Sequence, residues 1–119
     1  MPVAANILIA LVCLIHVYIF LLETVLYKTR GVKVFGIPPS EVELRKAAMS
    51  NQGCYNGFLA LALLLGLALP DPSLAKAFAT YGLACVAFAG IWGAVTVMTR
   101  ILYIQTVPAM LGLAAVYLL

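Results

Sequence analysis

Residues 7–27 read ILIALVCLIHVYIFLLETVLY, an unbroken apolar run that contains one histidine, His16, and one acid, Glu23. At 1.5 Å per residue the run makes a helix of about 31 Å, enough to cross a hydrocarbon layer of about 30 Å. A charged side chain at such a depth costs roughly 2.5 kcal/mol or more, so an acid kept there marks a functional position. His16 and Glu23 are seven residues apart and share one helical face, which Tyr27 extends by a turn. Glu23 is therefore the candidate acid or base, with His16 and Tyr27 beside it as candidate ligand-binding residues.

The whole chain fits that reading. Of its 119 residues 66% are hydrophobic and 9% charged, and its mean hydropathy is +1.14. Soluble domains carry about 25% charged residues. The length allows one domain, residues 1–119, of up to four spans. The net charge of +3 does not point to nucleic acid, because the basic residues lie mainly in one loop, where a membrane topology signal would put them. No Lys or Arg precedes the first apolar run, which is longer than a signal-peptide core, so it reads as a retained helix.

Four helices are predicted, over about residues 3–28, 41–69, 72–104 and 107–119. Gly31, Gly36 and the pair Pro38, Pro39 break the chain after the first. Ser40 and Glu43 have the spacing of a capping box at the start of the second. That second helix would be about 43 Å long, so its N-terminal third extends beyond the apolar layer. Asp71 and Pro72 have the cap and first-position chemistry of a third helix, and Pro108 opens a fourth. Lys28, Arg30, Lys33, Arg45, Lys46 and Arg100 fall on one side of these spans, and Lys76 alone on the other. Positive residues favour the cytoplasmic side. The expected architecture is an all-α, integral membrane four-helix bundle with the first loop in the cytoplasm and both termini outside.

The second helix carries a dense polar block, NQGCYNGFLA, over residues 51–60. Asn51 and Tyr55 share a face, as do Gln52 and Asn56. Gly53 and Gly57 form a GxxxG spacing that permits close helix approach. On a continuous third helix Trp92, Thr96, Arg100 and Tyr103 share a broad face. Arg100 has the donor fork of an anion clamp. Asn51, Gln52, Tyr55, Asn56, Arg100, Tyr103 and Gln105 complete the candidate ligand-binding set. Cys13, Cys54 and Cys85 lack paired spacing and read as packing residues, and no metal or cofactor motif is evident.

The same block resembles the NQGxYNGFLA signature of a family of small bacterial membrane proteins, domain of unknown function 1304. The segment HVYIFLLE from His16 to Glu23, and Gly90, Trp92, Gly93, Arg100, Gln105 and Pro108, are similar to it as well. That resemblance implies a four-helix protein of the bacterial inner membrane and brings no activity. In the order of its elements the chain also resembles the membrane-associated eicosanoid and glutathione metabolism proteins. This second likeness implies a homo-oligomer, specifically a trimer, with glutathione bound between subunits. Here Cys54 stands where that pattern has Glu, and Arg45 and Lys46 lie further before Asn51 than its Arg does.

Three functions are consistent with these residues. One is a membrane-embedded binding protein or enzyme for an acidic or lipid-like small molecule. The second is a proton-coupled transporter using Glu23, and the third is a structural subunit of an oligomer.

Overall fold

A computed structural model of the chain describes all 119 residues. The protein is all-α, with five α-helices and no strand. They are α1 (Val3–Glu23), α2 (Val32–Phe35), α3 (Val42–Ala68), α4 (Pro72–Thr96) and α5 (Val107–Leu118). The chain divides into two compact units, Ile15–Phe58 and a second made of Met1–Leu14 with Leu59–Leu119. Two helices, α1 and α4, are long and apolar enough to cross a membrane.

In the unit Ile15–Phe58, the helix read over residues 3–28 ends earlier, at Glu23. The Thr24 hydroxyl turns back and donates to Phe20 O at 2.6 Å. Leu26 N then reaches Leu21 O at 2.8 Å, a bond one residue wider than the α-helical one. The chain continues as a π-helical turn, Tyr27–Gly31, followed by the single turn of α2. Gly36 closes α2 in the left-handed conformation, φ 65°, which suits glycine because no Cβ opposes it. A 3₁₀ turn at Pro39–Glu41 leads into α3. Tyr27 and Ile37 are buried, and the Tyr27 hydroxyl donates to Val42 O at 2.7 Å, tying the loop to the start of α3. Glu43, read as half of a capping box, places its carboxylate 2.5 Å from Lys28 Nζ.

In the other unit, Ile9, Val12, Leu63, Leu83, Val86, Ala109 and Val116 form the core. Cys13 Sγ donates to Ala60 O at 3.4 Å, a packing role, and all three cysteines are free thiols. Asp71 caps α4 by accepting from Ser73 N and Leu74 N at 2.8 and 3.0 Å, with Pro72 in the first turn, as the sequence leads one to expect. The helix read as continuous to residue 104 ends at Thr96. The Thr96 hydroxyl donates to Trp92 O at 2.7 Å, and Val97 N and Met98 N both turn to Gly93 O. These bonds close the helix in a β-branched stretch, Val95, Thr96 and Val97, that is a weak helix former. The helix restarts at Arg100 and includes a π-helical turn, Leu102–Thr106, before α5. Thr106 Oγ1 donates to Ala87 O at 2.9 Å, and the Thr80 and Tyr117 hydroxyls meet at 2.8 Å, joining α4 to the C-terminal segment.

Candidate functional site

In the unit Ile15–Phe58, α1 delivers Glu23 from its last turn and α3 delivers Asn56 from its middle. The Asn56 amide Nδ2 donates to Glu23 Oε1 at 2.6 Å. Glu23 is only 2% exposed. Its position is electrostatically awkward, because the C-terminal end of a helix carries partial negative charge. The amide donor offsets that charge at short range. A carboxylate offers about four acceptor sites, so one amide bond does not exhaust it.

Two glycines make this contact possible. A Cβ on Gly53 would stand 2.7 Å from Thr24 Cγ2 and 3.0 Å from Glu23 Cβ, and one on Gly57 would stand 3.1 Å from the Phe20 ring. The GxxxG spacing thus lets α3 lie directly against the turn of α1 that bears the acid.

His16, two turns earlier on α1, is fully buried. Tyr27 is buried as well, and its hydroxyl serves the backbone of Val42. Of the α3 residues, Asn56 is half-buried and meets Glu23. Asn51 and Gln52 are exposed. Tyr55 is 60% exposed, with its ring edge-on to Phe58. Arg100, Tyr103 and Gln105 belong to the other unit. Arg100 and Tyr103 are exposed there, and Gln105 is half-buried. Because α4 ends at Thr96, Trp92 and Thr96 do not continue a single helical face into Arg100 and Tyr103.

The loop beside Glu23 carries contacts that sequence spacing did not reveal. Arg30 Nε donates to the Tyr18 hydroxyl, and the guanidinium lies 5.8 Å from that ring's centroid. The π-helical turn between them breaks the 3.6-residue period from which neighbours are read. Glu41 accepts from Arg45 at 2.8 Å, an i, i+4 pair that the spacing does show. The hydrogen bond from Lys28 holds the Glu43 carboxyl below its usual range, and Glu43 in turn pushes the Lys28 ammonium up.

Comparison with curated proteins and with solved structures returned no match. One family model, described as protein of unknown function (DUF1304), matches residues 10–117 and so takes in Glu23, the NQGCYNGFLA block and Arg100. The match extends over nearly the whole length, in agreement with the family resemblance read in the sequence, and the chain belongs to the DUF1304 family.

Proposed function

We propose that the chain is a small multi-pass protein of the bacterial inner membrane, a four-helix bundle whose working centre is the Glu23/Asn56 contact. The long helices support the membrane setting. Val3, Ile7, Leu11 and Leu14 on α1, and Phe78, Tyr81, Phe88 and Ile91 on α4, are all exposed. A helix at a water interface has a polar outer face, whereas these are apolar on both faces. The loop charges support an orientation with the first loop in the cytoplasm and both termini outside.

The centre is read as a binding site for a small polar molecule that carries a hydrogen-bond donor. The observation behind this is the buried Glu23 carboxylate with the Asn56 amide 2.6 Å from one of its oxygens. An acid in an apolar helix is expensive and is rarely retained for packing alone. Copies of the chain assembling through the exposed α3 side chains Asn51, Gln52 and Tyr55 belong to the same reading.

Native mass spectrometry of the protein in lipid nanodiscs tests the site. The wild type is expected to carry a small molecule that Glu23→Gln loses while remaining folded. The same bound species on both proteins would remove Glu23 from the binding role. Proton-coupled transport is the second reading, because Glu23 is the sole acid within α1 and α4. Flux driven by a proton gradient in liposomes, abolished by Glu23→Gln, would favour it.

A further inference from the structure

We infer that residues 27–46 form a binding surface for anionic lipid headgroups, with Arg30, Lys33 and Lys46 supplying the charge. The inference rests on the membrane reading above. The segment holds five cations, Lys28, Arg30, Lys33, Arg45 and Lys46, and two acids, Glu41 and Glu43. Both acids are engaged, Glu43 by Lys28 at 2.5 Å and Glu41 by Arg45 at 2.8 Å. The surface therefore keeps a surplus of three positive charges.

Arg30 shows how that surplus is held. Its brace is a neutral phenol, since Nε donates to the Tyr18 hydroxyl and the guanidinium lies by the Tyr18 ring. Such a contact orients the guanidinium without neutralising it. One of its five N–H donors is used, and the others suit a phosphate.

The surface is also preformed. Tyr27 is bonded to Val42 O, and Ile37 is buried, so the turn and the start of α3 are fixed to each other. Two large apolar side chains close to the cations in sequence, Val25 three residues before Lys28 and Leu44 next to Arg45, are each 79% exposed. Basic residues interleaved with exposed apolar ones are the pattern of a membrane interface, where both classes are satisfied at once. A soluble phosphate would match the cations and leave the apolar pair in water. This decides for a lipid.

The test is lipid retention by the full chain. The protein is reconstituted in phosphatidylcholine mixed with phosphatidylglycerol, then extracted, and the retained lipids are weighed by mass spectrometry. The wild type is expected to retain phosphatidylglycerol above its bulk share. Each of Arg30→Gln, Lys33→Gln and Lys46→Gln should lower that enrichment by about fivefold or less, and the triple variant should abolish it. Lys76→Gln should leave it unchanged. A triple variant made of Arg30→Lys, Lys33→Arg and Lys46→Arg keeps the charges and should restore enrichment, which separates charge from misfolding. Undiminished enrichment in the triple Gln variant, or an equal loss in Lys76→Gln, would overturn the proposal. Displacement of phosphatidylglycerol by millimolar inorganic phosphate would also overturn it, by identifying a free-phosphate site. A chain that a high-pH wash strips from vesicles would defeat the membrane reading instead.

Discussion

At the scale of single residues, the decisive contact joins Asn56 to Glu23. Replacing Asn56 with Leu keeps the side-chain volume similar and removes the donor at 2.6 Å. A buried acceptor that loses its partner costs about 1–3 kcal/mol in a water-soluble protein. Between membrane helices the measured average is nearer ~0.6 kcal/mol, with a maximum of ~1.7. Asn56→Leu is therefore expected to destabilise by about 1 kcal/mol, read as a lowered melting midpoint in detergent. The double variant Glu23→Leu with Asn56→Leu should regain most of that loss, because no polar group is then left without a partner. A double variant less stable than Asn56→Leu would mean that Glu23 is held by groups other than this amide.

At the scale of elements, the approach of α3 to α1 depends on which atoms face each glycine. A Cβ on Gly53 would be 2.7 Å from Thr24 Cγ2 and 3.0 Å from Glu23 Cβ, both close to the α1 backbone and unable to swing away. A Cβ on Gly57 would meet the Phe20 ring at 3.1 Å, and a ring can tilt. Ala in a helix is favoured over Gly by about 1 kcal/mol. Gly53→Ala should thus be net destabilising by about 1–2 kcal/mol, as overpacking costs ~1–3. Gly57→Ala should be close to neutral, with both measured by thermal unfolding.

The loop gives a pH prediction. Glu43 has a lowered carboxyl in the folded chain, so its contribution is present above the unfolded value of about 4.3. It is lost as pH falls through the lowered value. Lys28 is raised, so its contribution is present below about 10.4 and is lost as pH climbs through the raised value. Amide protection in residues 27–35, corrected for intrinsic exchange, should stay level between these limits and fall in acid. In Lys28→Gln the acid-side fall should vanish. Both side chains of the pair are largely exposed, so the effect is local loosening and leaves global melting unchanged.

At the scale of the molecule, composition and apolar run length make the helical class legible, and local turn chemistry makes the Asp71 cap of α4 legible too, whereas Glu43 turns to Lys28 instead of capping α3 and Pro108 lies inside a helix that already restarts at Arg100. The Glu23 partner was legible only as a cluster, because Asn51, Gln52 and Asn56 are chemically alike. What selects Asn56 is the rotation of α3 that Gly53 and Gly57 allow. The early ends of α1 and α4 were hidden for a common reason. Thr24 and Thr96 each divert a hydroxyl to the carbonyl four residues back, and a wider turn follows, while hydropathy runs on without a break. Orientation is the property that charge distribution alone predicts. Six of the seven cations lie in the segments before α3's apolar stretch and after α4, and only Lys76 lies near the start of α4. Inserted segments retain Lys and Arg on the cytoplasmic side, and six against one leaves little room for dual insertion. In a variant lacking Cys13, Cys54 and Cys85, Thr29→Cys places an exposed thiol in the π-helical turn after α1, and Ser73→Cys places one in the first turn of α4. A membrane-impermeant maleimide added to intact cells with a permeable outer membrane should label Ser73→Cys at once and Thr29→Cys only after lysis. The reverse pattern would put the Glu23 end of α1 outside, and labelling of both before lysis would mean that the chain inserts in two orientations.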